Sequence, residues 1–209
     1  MKKVLMALAF AALSVPSFAQ TSSGGFSLDE EHLYYGVRIG LNVSGISGDN
    51  IRKYPDSKAG MVFGGVIGLR LSNNSPVFLE SGLYYSEKGG KKGKDKVSLN
   101  YLELPILIKY GFKVSEDISV IPFLGPYFSM AISGKVKEYN SETDTFDNHS
   151  SFDDGWYRHP DMGFKLGCGA EYSNLYLEMG YQFGIADISD NDSYSAHGHN
   201  FFLNFGVNF

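Results

Sequence analysis

The chain has 209 residues, with 18 Lys and Arg against 23 Asp and Glu, a formal net charge of −5. That length bounds it to one domain or two small ones, and the mildly acidic balance argues against nucleic acid as a partner. Cys168 is the single cysteine, so no internal disulfide can form and its expected use is as a small apolar filler. With 14 Tyr, 16 Phe, 25 Gly and few helix-favouring runs, the composition points to an all-β chain.

The opening MKKVLMALAFAALSVPSFAQ reads as a secretory signal peptide over residues 1–19. Lys2 and Lys3 form its basic head, Val4 to Leu13 its apolar centre, and SFA a small-residue cleavage site. Removing it takes away two lysines and no acids, so −5 becomes −5 − 2 = −7. No Cys follows the cleavage site, which argues against a lipoprotein anchor. Nothing downstream approaches the run of about 18 apolar residues that a membrane helix needs.

After the leader, period-two alternation predicts eight strands. In 34–44, Tyr35, Val37, Ile39, Leu41 and Val43 share a face opposite Gly36, Arg38, Gly40 and Asn42. In 59–71, Met61, Phe63, Ile67, Leu69 and Leu71 oppose a glycine-rich face ending at Arg70. Segment 77–86 sets Val77, Leu79, Leu83 and Tyr85 against Phe78, Glu80, Gly82 and Tyr84. Segment 98–110 sets Leu102, Leu104, Ile106, Ile108 and Tyr110 against Tyr101, Glu103, Pro105 and Lys109. The fifth, 117–133, is ambiguous: Val120, Leu124, Phe128 and Met130 are read as its apolar face, but Pro122 and Pro126 fit poorly in a paired strand. In 161–172, Met162 to Tyr172 alternate with Gly163, Lys165, Gly167, Gly169 and Glu171. In 175–185, Leu175 to Ile185 alternate with Tyr176, Glu178, Gly180, Gln182 and Gly184. The last, 199–209, puts Phe201, Leu203, Phe205, Val207 and Phe209 on one face.

Connections at 72–75, 111–117 and 173–174 are short, whereas 45–57, 88–97, 134–160 and 186–198 are long. Such sorting by parity belongs to membrane barrels, with short turns at one end and long loops at the other. The polar faces carry Arg38, Arg70, Glu80, Glu103, Lys109, Lys165, Glu171 and Glu178, while the apolar faces carry no charge through their middles. An eight-stranded lumen is only wide enough to be filled by side chains. Charges accompanied by glycine therefore belong inside, and the large apolar residues outside. The expected fold is all-β: an eight-stranded antiparallel up-and-down transmembrane β-barrel with a filled polar interior. A soluble lipocalin-like barrel is the competing arrangement.

The stretches YGVRIGLNVS, YLELPILIKYGF and PFLGPYFSM resemble the PorT-family outer-membrane β-barrels of Bacteroidota-type bacteria, over roughly residues 34 to 209. The resemblance implies a signal peptide at 1–19, a periplasmic segment at 20–33 and an outer-membrane barrel at 34–209. It transfers no catalytic residue, and one family member is implicated in protein secretion. Phe201, Phe205 and Phe209 resemble the C-terminal signal by which such barrels are recognised for insertion, which makes the insertion machinery an expected partner during biogenesis.

Within the lumen, these eight ions are expected to pair, since an unpaired buried charge costs several kcal/mol. The alternative is a narrow ion or proton path. The 88–97 stretch, with Lys88, Lys91, Lys92, Lys94 and Lys96 against one acid, reads as solvated loop or as a site for the anionic phosphates of lipopolysaccharide or the acidic loop at 134–160. In that long loop, Tyr139, Trp156 and Tyr157 suit a protein partner. Ser193, Ser195, His197 and His199 lie near Asp187, Asp190 and Asp192, the ingredients of a lipid hydrolase or a metal trap, but no spacing among them is diagnostic. No catalytic residue, metal or cofactor is expected. The expected function is a structural or interaction one through the long loops, with an accessory place in a secretion apparatus as the alternative.

Overall fold

The computed structural model describes residues 32–47, 56–92, 95–140, 145–150, 160–186 and 197–209. The leader expected at 1–19, and residues 20–31 of the segment after it, lie outside these. Ten strands follow in chain order: β1 (Leu33–Ser47), β2 (Asp56–Arg70), β3 (Val77–Lys92), β4 (Asp95–Tyr110), β5 (Phe112–Lys113), β6 (Ile118–Asn140), β7 (Thr145–Ser150), β8 (Pro160–Tyr172), β9 (Leu175–Gly184) and β10 (His197–Asn208). Eight of them make a ring in the order β1, β2, β3, β4, β6, β8, β9, β10, every neighbouring pair antiparallel. The pairing of β10 with β1 and of β4 with β6 leaves the wall without an edge. The two short strands, β5 and β7, return against the two ends of β6.

Alternation decides which side of each strand faces in. On β1, Leu41 is 59% exposed and its neighbour Asn42 1%. On β4, Ile108 is 58% exposed and Lys109 2%. The arrangement is therefore inverted relative to a soluble barrel. Water would penalise this apolar exterior; hydrocarbon does not. The outward apolar positions of β1, from Tyr35 to Val43, cover roughly 26 Å of strand at about 3.3 Å per residue. At a tilt near 40° that is about 20 Å of height, comparable with the apolar band of about 25 Å on membrane barrels. Tyr35, Tyr110, Phe112, Tyr172 and Phe209, all exposed, ring the wall at the short-turn end.

The prolines are accommodated by local breaks in the ladder. A proline has no backbone N–H to donate. The β3–β4 register is interrupted around Pro105, between the pairs Ser81↔Ile106 and Tyr84↔Glu103. There the Ser81 hydroxyl donates to the Pro105 carbonyl at 2.8 Å, replacing part of the lost bonding. Pro122 and Pro126 occupy outer-wall positions of β6, opposite Cys168 and Phe164. The apolar face expected of this strand is the outer one: Leu124, Phe128 and Met130 are exposed and Val120 half-buried. Cys168 corrects an expectation. It lies exposed on the outer wall and fills no core.

Two stretches read as long loops contain strand. Of residues 88–97, 88–92 are the end of β3 and 95–97 the start of β4, in register down to Lys92↔Asp95. Residues 134–160 contain the end of β6 and all of β7, paired from Lys135↔Ser150 to Asn140↔Thr145. These segments lack alternating apolar residues because their outer faces meet water rather than hydrocarbon, so the signal used to find strands is missing although the ladder continues. Near the start of this extension a bulge shifts the β4–β6 register from Tyr101↔Ala131 to Asn100↔Ser133. Ile132 is the extra residue, and beyond it Lys135 is exposed while Gly134 is buried.

Leu203 lies mid-strand on the outer face, opposite Leu41 on one side and Met179 on the other. Leu203→Lys is expected to lower folding stability in lipid vesicles by about 2–4 kcal/mol, whereas a lysine at Phe209, by the interface, costs about 0–1 kcal/mol. Denaturant titration of vesicle-embedded protein measures both, and equal effects at the two sites would contradict the bilayer placement.

Candidate functional site

The lumen is the most densely built part of the molecule. Arg38, Lys88, Lys109 and Lys165 are buried there with Glu80, Glu103, Asp161, Glu171 and Glu178. Those nine groups sum to +4 − 5 = −1, close enough to neutrality for most of them to be cancelled locally. Ionic contacts join neighbouring strands in two cases, Lys109 with Glu80 and Lys88 with Glu103, and otherwise skip strands or cross the lumen. Arg38 on β1 reaches Glu80 on β3 at 3.5 Å, and Lys109 on β4 contacts Glu80 at 2.8 Å and Glu178 on β9 at 3.7 Å. Further up, Glu103 on β4 receives Lys88 at 2.8 Å and Lys165 on β8 at 4.0 Å.

Neutral groups complete the network. Tyr34 donates to Glu80 at 2.7 Å, Lys109 to the Tyr176 hydroxyl at 2.9 Å, and Gln182 to Glu103 at 2.5 Å. Three asparagines at every fourth position of β10 do related work. Asn200 bridges Asn42 and Gln182, Asn204 donates to Glu178 at 2.8 Å, and Asn208 accepts from Arg38 and donates to Glu171. Aromatic faces supply the remaining surroundings of the cations. Arg38 stacks 4.3 Å over the Tyr176 ring and the Lys165 ammonium lies 4.2 Å from the Phe202 ring centre. Such contacts gain strength when dry, reaching about 2 kcal/mol.

Glycines make room for these large groups. A Cβ on Gly64 would lie 2.8 Å from the Tyr84 ring, one on Gly167 2.5 Å from Phe123, and one on Gly180 2.5 Å from Phe202. Gly36 and Gly206 stand against Arg38 in the same way, each with a would-be Cβ 2.6 Å from that side chain. Glycine opposite a ring or a guanidinium is thus what lets so narrow a lumen hold so many of them.

Of the ions expected inside, Arg38, Glu80, Glu103, Lys109, Lys165, Glu171 and Glu178 are buried in the lumen. Arg70 stands at its short-turn rim, half-buried, donating to the Ser72 carbonyl at 2.9 Å. Lys88 requires a correction: it is an inward group of β3 bound to Glu103, not part of an exposed anion-contacting loop. The β3 alternation carries it inward with Tyr84 and Ser86, where Glu103 is available. Lys91 is exposed. Lys92 and Lys96 occupy strand positions opposite Asp95 and Lys91, their side chains outside those described, and Lys94 lies outside the described residues. Phe201, Phe205 and Phe209 are exposed on the outer wall of the closing strand.

Asp161 and the inward amides are not singled out by the sequence, although the asparagines of β10 share the inward alternation with Phe202. Asp161 accepts from Tyr127 at 3.2 Å near the long-connection end. His197 contacts the Ala186 carbonyl through Nδ1 at 3.1 Å, and His199 stacks on Tyr181 at 6.3 Å. Ser193, Ser195, Asp187, Asp190, Asp192, Trp156 and Tyr157 fall outside the described residues. Among those described, no three His, Cys, Asp or Glu side chains come together as a metal site.

Lys109 is the test of the network, because it cancels two acids at once. Lys109→Met is expected to destabilise the barrel by about 3–5 kcal/mol, the cost of leaving buried charge unpaired. Adding Glu178→Gln should recover part of that loss. Equilibrium unfolding of the reconstituted protein measures both, and a neutral Lys109→Met would mean that the acids do not depend on it.

A family model for the outer membrane protein beta-barrel domain matches residues 18–190. Among solved structures, the chain is similar to Neisserial surface protein A, at 14% identity over 86% of this chain and 98% of that one, with a TM-score of 0.47. It is similar to the attachment invasion locus protein Ail of Yersinia pestis, at 15% identity over 86% and 100%, with a TM-score of 0.43. It is also similar to a major outer membrane protein of Thermus thermophilus, at 16% identity over 86% and 100%, with a TM-score of 0.47. Comparison with curated proteins gives no match. With the closed wall, its apolar exterior and a family match over most of its length, the chain belongs to the outer membrane protein β-barrel domain family, and its place is the bacterial outer membrane.

Proposed function

We propose that the protein is a structural or interaction component of the outer membrane, its barrel an anchor and its contacts made above the bilayer. The observation that carries this reading is the cross-lumen network. Arg38, Lys109, Glu80 and Glu178 span the centre of the barrel with Tyr34 and Tyr176 between them. Side chains so joined occupy the space a permeating solute needs.

Strand length supports the second half of the proposal. A tilted strand crosses a bilayer in about 9–11 residues, whereas β6 has 23 and β3 and β4 have 16 each. The surplus lies at the long-connection end, the extracellular end of such barrels. There β3, β4, β6 and β7 continue as one sheet beyond the apolar belt. A rigid sheet holds a contact surface with less ordering cost than a free loop. The motif-level resemblance to PorT-family barrels favours a second reading, an accessory component of a secretion apparatus. We assign no catalysis, metal or cofactor to either.

Full-length protein in a planar lipid bilayer is expected to give no stable conductance, and reproducible channel steps would overturn the closed-lumen reading. For the secretion reading, deletion should block export and the purified protein should bring a defined complex with it. Normal export together with a solitary barrel would remove that alternative.

A further inference from the structure

We infer that the outer face of the β3–β4–β6 extension binds the phosphorylated saccharide headgroup of an outer-leaflet glycolipid, with the exposed Lys91 and Lys135 as its anchors and the strand positions of Lys96 and Lys137 in register with them. This rests on the interaction reading above and names a ligand class for that surface.

The register assembles these residues from segments far apart in the sequence. Lys91 on β3 stands opposite Lys96 on β4, and Lys96 opposite Lys137 on β6, so one row across three strands holds three lysines. Lys135 stands opposite Ser98 two residues nearer the membrane, and both Lys91 and Lys135 are exposed. Like charges directly opposite one another on antiparallel strands repel. On β2 the position facing Lys91 is Asp56, one acid against the set. Lys58 is excluded because Glu87 holds its ammonium, and Lys88 because it is bound to Glu103. A row of cations with a single facing acid suits an external polyanion, and charge-assisted contacts to phosphate oxygens are the strong kind.

Height above the belt selects the kind of anion. Among the described side chains, Leu102 on β4 and Ile132 on β6 are the last large apolar residues exposed on these strands, and Asn100 hydrogen-bonded to Ser133 follows them. Along β6, Lys135 lies roughly 10 Å beyond Ile132, and the position of Lys137, in the row of Lys96 and Lys91, roughly 17 Å beyond it, at about 3.3 Å per residue. With a strand tilt near 40° these become heights of about 8 and 13 Å. The polar zone on each side of an ordinary phospholipid bilayer is only about 5–8 Å deep. The lower lysine meets that zone and the upper row stands above it. A headgroup carrying phosphates at two depths on a sugar scaffold fits both, whereas a single phosphodiester fits the lower one alone. Lipopolysaccharide has that chemistry.

The test uses full-length barrel in mild detergent and native mass spectrometry, with lipid A and phosphatidylglycerol as alternative probes. Wild type is expected to retain lipid A at least five-fold better than the combined variant Lys91→Gln, Lys96→Gln, Lys135→Gln, Lys137→Gln. Lys113→Gln, at the periplasmic end, should match wild type. Heat-modifiable gel mobility verifies that each variant is folded, and single-lysine variants replace the combined one if it is not. Unchanged lipid A retention in folded variants would overturn the site. Equal lysine dependence for phosphatidylglycerol would overturn the two-depth headgroup. Channel activity with lysine-dependent retention intact would defeat the closed lumen and leave this inference standing.

Discussion

An ion held away from water must be cancelled by something nearby, and the lumen satisfies that requirement by reaching across itself. Lys109 touches Glu80 and Glu178, which belong to strands on different parts of the ring. Arg38 joins Glu80 from β1 while β2 lies between them in the wall. The Lys109–Glu178 and Arg38–Glu80 contacts fix the separation of strands that share no backbone hydrogen bonds. The narrow bore, the glycines opposite rings and the outward turn of most large aliphatic groups all follow from filling the centre with paired charge. Exchanging inside and outside would put those ions in hydrocarbon.

Outside, the constraint is different but acts with the same sign. Hydrocarbon offers no hydrogen bonds, so every backbone group in the wall needs a partner within it. Closure of β1 on β10 and of β4 on β6 supplies those partners, and the Ser81 hydroxyl answers for one consequence of Pro105. Family membership and outer-membrane placement agree with both constraints.

Much of this is legible in the residue order, and the missing parts share a cause. Period-two alternation distinguishes inner from outer face wherever the two solvents differ, which is why it resolves β1, β8 and β10, while Pro122 and Pro126 leave β6 ambiguous in sequence although its apolar face is the outer one. It says which way a side chain points, not what it meets. The pairing of Lys109 with two acids, and the seating of Tyr84, Phe123 and Phe202 against glycines, depend on cross-lumen distances that spacing along one strand does not contain. Above the bilayer the outer face meets water instead of hydrocarbon, and the contrast between the faces that alternation records vanishes. Lys88 therefore reads as part of a lysine-rich loop although it lies inside. Lys135 and Lys137, for the same reason, read as members of an acidic loop rather than neighbours of Lys96. The bulge at Ile132 further hides the register there.

The seam between β1 and β10 also orders events in time. Arg38 and Asn208 stand 170 residues apart in sequence yet share a hydrogen bond. Contacts of such separation are slow to find, and during synthesis the early strand emerges long before its mate. A chain still lacking β10 therefore has no clasp to fasten. Arrival of β10, rather than any local hairpin, is what commits the cylinder to its final circumference.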